Sequence, residues 1–141
     1  MSLLTTEAGK RRLLGVEIPV IERYNAGRDD AFKVRVERRG AGLSLRFALK
    51  PTHNVYEIDM RLMASYPVIP PEVWVLTPLK MCPHLLEGQM LCLWRQGSTR
   101  ALSRWDASRY TCVFAIQATW RWLACYEVWN DTGTWPLPEA K

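Results

Sequence analysis

Residues 66–94 read YPVIPPEVWVLTPLKMCPHLLEGQMLCLW. Three prolines within the first six positions, Pro67, Pro70 and Pro71, rule out a central strand there, because a proline removes a ladder donor. EVWVLTP (72–78) is a brief apolar run of strand type. From Pro78 to Ser103 neither a two-residue nor a 3.6-residue period holds. Loops of that length are functional or disordered. The apolar content (Leu85, Leu86, Met90, Leu91, Leu93, Trp94) argues for order. Inside this loop Cys92 lies between two leucines, eight residues after His84.

On the N-terminal side the period is two. FKVRVER (32–38) alternates Phe32, Val34 and Val36 with charged residues. GAG (40–42) supplies turn chemistry. LSLRFALK (43–50) puts Leu43, Leu45, Phe47 and Leu49 on one face, and VYEIDMRLM (55–63) does the same with Tyr56, Ile58, Met60 and Leu62. Three short strands at hairpin spacing, with 72–78 as a fourth, predict an antiparallel meander. Residues 3–24 carry a helical pattern that Pro19 should break or restart. On the C-terminal side Asp106 or Ser108 can cap a helix over 108–129 whose apolar residues nearly encircle it, which implies burial against the sheet. NDTG (130–133) stops it. The expectation is one α+β domain over 1–141.

The chain carries a formal charge of +5, all of it in the first part: residues 1–50 hold 11 Lys and Arg against 6 Asp and Glu, and residues 51–141 hold 8 against 8. The basic residues are not interleaved with aromatics along the chain, so nucleic acid is not an expected partner. In MSLLTTEAGKRRLL the basic residues follow the apolar ones, the wrong order for a secretory signal, and no uncharged apolar run spans a membrane. A cytoplasmic protein with no membrane partner is expected, with Cys82, Cys92, Cys112 and Cys125 as reduced thiols. Cys82, His84, Cys92 and Cys112 match no common zinc spacing, so neither metal nor cofactor is expected.

Taken in order, these residues resemble the ubiquitin-conjugating enzyme (UBC-fold) family. Its signature begins Tyr-Pro-x-x-Pro-Pro, here Tyr66, Pro67, Pro70 and Pro71, and continues through a short strand to a His-Pro-Asn turn. Here that turn reads Cys82-Pro83-His84, and Cys92-Leu93 stand where the family has its catalytic cysteine and the leucine after it. Trp105 resembles the tryptophan before the family's next helix. The sequence departs from the pattern in the turn itself, in Gly88 lying four residues rather than three before the cysteine, and in ending 49 residues after it, without the family's last two helices. The ending resembles a compact prokaryotic branch encoded beside cGAS-like nucleotidyltransferases in anti-phage (CBASS) operons.

The resemblance implies a UBC-like fold and a thioester chemistry. Cys92 would take an acyl group from the C-terminus of a protein partner, a cGAS-like nucleotidyltransferase or a ubiquitin-like protein, and hand it to an amine. A thiol is required because a thioester is activated toward aminolysis while an amide is not. His84 holds the position of the family's Asn, which anchors the loop and helps stabilise the oxyanion; an imidazole can donate one such bond, act as a base, or simply anchor the loop. Of the acids Glu87, Asp106, Glu127 and Asp131, none aligns as the group that orients the amine. Trp94, beside the thiol, is the candidate to contact a partner's tail. The alternative reading is a catalytically inactive adaptor in which Cys92 is an inert core thiol.

Overall fold

The structure, a computed structural model, describes residues 2–94 and 104–137. Residues 95–103 of the expected irregular loop lie outside the described residues.

The N-terminal helical run starts later than its sequence pattern suggests. Thr6 caps helix α1 (Glu7–Arg12) by accepting from the Gly9 amide. Leu3, read as helical, instead sits fully buried before the cap, its N–H donating to Ala64. A π-turn (Leu13–Glu17) follows, in which Ile18 donates to the carbonyl of Leu13, five residues back. Helix α2 (Ile18–Asn25) then restarts with Pro19 in its first turn, where no intrahelical N–H is needed.

The meander forms as expected. Strands β1 (Arg35–Arg39), β2 (Gly42–Leu49), β3 (Tyr56–Leu62) and β4 (Glu72–Val75) make one antiparallel sheet in chain order. The predicted first strand differs: Phe32 belongs to a 3-10 turn (Asp30–Phe32), and every residue of β1 is exposed. Its alternation marks an edge rather than a buried face, and the arginines at 35, 38 and 39 discourage a further strand from pairing there. Register places Leu43 opposite Leu62, Leu45 opposite Met60, and Phe47 opposite Ile58. These six are buried and belong to the hydrophobic core with Leu3, Ile21, Val73 and Val75. The other sheet face carries Arg46 opposite Asp59, and Asp59 opposite Trp74. Asp59 is buried there between Arg46 and Arg61.

Helix α3 (Cys112–Thr132) closes the core with Cys112, Ala115, Ile116, Trp122, Leu123 and Tyr126. It starts four residues later than expected. Asp106 caps only a local turn, accepting from Ser108. Thr111, the residue before the helix, caps nothing with its side chain. The first helical amide, Cys112 N–H, donates instead to Oε1 of Glu17, 95 residues away (2.8 Å). Glu17 is fully buried, and its Oε2 also accepts from Arg12 Nε and the Tyr66 hydroxyl, both at 2.7 Å. Arg12 in turn donates to the carbonyls of Ala107 and Tyr110. This polar knot fixes α1, the proline-rich segment and the start of α3 against one another. Gly133 in the left-handed conformation ends α3. No helix among the described residues is long and apolar enough to cross a membrane.

Candidate functional site

The candidate site is the loop between β4 and α3. Its backbone is unusual: His84, Gly88 and Gln89 all have positive φ (61°, 75° and 68°). For His84 and Gln89, which carry a Cβ, this costs about 1–2 kcal/mol each, so the surroundings must hold them. Gln89 uses its whole amide to do so: its Nε2 donates to the carbonyls of Val75 and Thr77, and its Oε1 accepts from Leu79 N–H, all at 2.7–2.8 Å. At Gly88 a Cβ would come within 2.8 Å of the Trp74 ring, so both conformation and space call for glycine. Met90 pairs with Trp74, and Leu91 N–H donates to Val73, so the chain leading to the thiol runs along β4.

His84 holds the centre of this loop through its main chain. Its carbonyl accepts from Cys92 N–H (2.9 Å) and from Nε1 of the fully buried Trp122 on α3 (3.1 Å). The two predicted site residues are thus joined backbone to backbone. The imidazole does not line the Cys92 cleft. It packs on the Trp135 ring (centroids 5.0 Å apart), with a buried Nδ1 that has no hydrogen-bond partner among the described residues.

Cys92 is half-buried and lines a cleft of about 320 Å³ with Ile69, Pro71, Glu72, Met90 and Trp94. Trp94 and Trp105 clamp the proline-rich wall: their indole N–H groups donate to the carbonyls of Pro71 and Pro67, both at 2.8 Å, and their rings meet edge to face. The other three thiols differ in setting. Burial pushes Cys82 up to about 11 and raises Cys112 and Cys125. Cys112 is raised further by the nearby Glu17 carboxylate.

None of the four acids weighed from sequence lines this cleft. Glu127 accepts from Thr52, Asn54 and Tyr56 in a separate hollow that Asp131 also lines. Asp106 holds its turn, which draws its carboxyl below the usual range through the bonds from Ser108. Glu87 is exposed at the 3-10 turn Glu87–Gln89. The acid that does line the cleft is Glu72, the first residue of β4, whose Oε1 accepts weakly from Trp74 Nε1 (3.4 Å). Glu72, Gln89 and Trp122 were not singled out from sequence as site residues. Only Gln89, beside a glycine in an apolar loop, carried a local signal. Among the described residues no His, Cys, Asp and Glu side chains gather as a metal ion would need.

A comparison with curated proteins finds no match. A family model, that of the Type II CBASS E2 protein, matches residues 25–141. That span includes the whole sheet, the Cys92 loop and α3, and the chain therefore belongs to the Type II CBASS E2 family, part of bacterial CBASS anti-phage systems.

Proposed function

We propose that Cys92 carries an acyl group between a partner protein's C-terminus and an amine. The thiolate attacks a C-terminal carbonyl carbon already activated as an acyl adenylate or a donor thioester, the S–C bond forms, and AMP or the donor thiolate leaves. The amine then attacks the same carbon, the N–C bond forms, the S–C bond breaks, the amine's proton goes to a base, and the Cys92 thiolate is released. One observation carries this reading: a half-buried cysteine opens onto a cleft walled by Pro71 and Trp94, and its amide is fixed by the His84 carbonyl. An extended C-terminal tail fits such a cleft. In this reading His84 acts through its carbonyl, as the anchor that orients Cys92. Glu72 is the carboxylate that receives the incoming amine. The partner is a CBASS protein, for which the resemblance favours a cGAS-like nucleotidyltransferase over a ubiquitin-like protein.

The rival reading, an adaptor without catalysis, draws on the His84 imidazole facing Trp135 instead of the cleft. Co-expression with a cGAS-like nucleotidyltransferase of a CBASS system, read by non-reducing gel and intact mass, separates the two. A thiol-sensitive adduct in the wild type, absent in Cys92→Ala and replaced by a thiol-resistant ester in Cys92→Ser, supports the acyl carrier. Identical masses for all three proteins reject it with that partner.

A further inference from the structure

On the α2–α3 side of the molecule the fold brings together what the linear sequence keeps apart. A hollow of about 420 Å³ is lined by Tyr24 and Arg28 from the end of α2, Phe32 from the 3-10 turn, Lys50 after β2, and Ile116 and Trp120 of α3. Trp120 is 46% exposed, which is unusual for so large an apolar ring. The Arg28 guanidinium lies 3.8 Å over the Tyr24 ring and donates from Nε to the Tyr24 carbonyl; its remaining N–H groups bond nothing among the described residues. Lys50 is exposed and makes no ion pair among the described residues. Among the described residues no Asp or Glu lines the hollow. The nearest acids in sequence, Asp29 and Asp30, lie outside it, and Asp30 is paired with Lys33. A second groove shares Tyr24 and adds Arg23 and Arg109, again with no acid among the described residues, so the positive field extends along this face.

We propose that this hollow is a nucleotide site: it takes one nucleoside di- or triphosphate, the base against Trp120 and Phe32 and the phosphates at Arg28 and Lys50. Three requirements of such a ligand are met together. A flat π-surface stacks on an open ring. A multiply charged anion meets two cations that have no carboxylate partner among the described residues. The volume suits one base and sugar. An acidic peptide fits less well, because its carboxylates follow an extended backbone, whereas these cations flank a single aromatic hollow. The site lies apart from the cleft of Cys92, so the proposal does not depend on thiol chemistry.

The test is calorimetric titration of the purified full chain with ADP and with GTP at low salt. Adenosine, inorganic pyrophosphate and a poly-glutamate peptide serve as separating ligands. Trp120→Ala and Lys50→Glu change exposed side chains, and thermal melting checks that each variant is folded. The expected result is nucleotide binding tighter than about 1 mM, weakened about tenfold or more by each variant, with adenosine and pyrophosphate each at least about tenfold weaker than ADP. Three outcomes overturn the proposal: no heat with nucleotide up to about 5 mM, affinity that both variants leave unchanged, or pyrophosphate or poly-glutamate binding as tightly as ADP. The last would mark the hollow as a general anion surface.

Discussion

Replacing Glu17 by alanine tests the knot that holds the helices around the site. Glu17 is fully buried and accepts three hydrogen bonds, from Arg12, Tyr66 and Cys112. The change leaves the Arg12 Nε–H, the Tyr66 hydroxyl and the first amide of α3 without acceptors. Breaking a buried ion pair from one side costs about 3–5 kcal/mol. The two neutral donors share that loss rather than adding to it in full, because all three act through one carboxylate. Against a urea dependence of about 2 kcal/mol per M, the unfolding midpoint should fall by about 2 M. Glu17→Gln keeps an acceptor for Tyr66 or Cys112 and loses the charge opposite Arg12, so it should fall between, at about 1–3 kcal/mol. The assay is equilibrium urea unfolding followed by tryptophan fluorescence and far-UV circular dichroism on all three proteins. A Glu17→Ala midpoint within about 0.3 M of the wild type would refute the reasoning. So would a glutamine variant less stable than the alanine one.

Four further expectations concern the site and its protonation. Iodoacetamide at mildly alkaline pH should label Cys92 well before Cys82, Cys112 or Cys125, whose thiols burial keeps protonated; peptide mapping that finds Cys82 labelled at an equal rate contradicts this. The same shifts set the alkaline limb of stability. Cys82 is held up to about 11 and Tyr56 to about 12, chiefly by burial, so the native state keeps protons that the unfolded chain releases near its ordinary thiol and phenol values; stability is full below those values and is lost as pH rises through the folded ones, which melting curves between neutral and alkaline pH will show as a falling Tm. Trp122→Phe removes one bond to the His84 carbonyl at about 1 kcal/mol, so hydrogen exchange at the Cys92 amide should speed up about fivefold, and an unchanged rate would mean that the tether to α3 is idle. Glu72→Gln should leave acyl loading of Cys92 intact while slowing release to an amine by about tenfold or more; a variant impaired in loading as well would remove Glu72 from the amine's side of the reaction.

The sheet was legible because its signal is local. Alternation over 43–50 and 55–63 marks β2 and β3 to within a residue, and the prolines at 67, 70 and 71 bound the third strand. The helix starts were less legible because distant residues decide them. Asp106 and Ser108 looked like caps for α3, yet the amide that begins it is capped by Glu17, and no spacing rule links two positions that far apart. The loop illustrates the same limit. Sequence order singled out His84 and Cys92, and the structure joins them through a carbonyl and an amide, groups that every residue carries. What distinguishes position 84 is the side chain across from it, the Trp122 indole, which reads in sequence as ordinary core. Glu72 was passed over because it opens a strand, where an acid reads as a solvated end, and only the packing of the loop along β4 brings it to the cleft.

The Glu17 knot also bears on the order in which the molecule can be made. The meander pairs neighbouring segments, so its hairpins can close as soon as they leave the ribosome. The N-terminal helices are tied locally by the two bonds between Asn25 and Val34, but the Glu17 carboxylate must wait for the amide of Cys112, 95 residues later. At about 5–20 residues per second that is a delay of about 5–20 s. Through that interval Ile21 and Leu3 have only the growing sheet to cover them, and the loop of Cys92 is translated before the helix that anchors it. A nascent chain therefore presents its thiol before its tether, and it becomes a finished domain only when the start of α3 reaches back to the N-terminus.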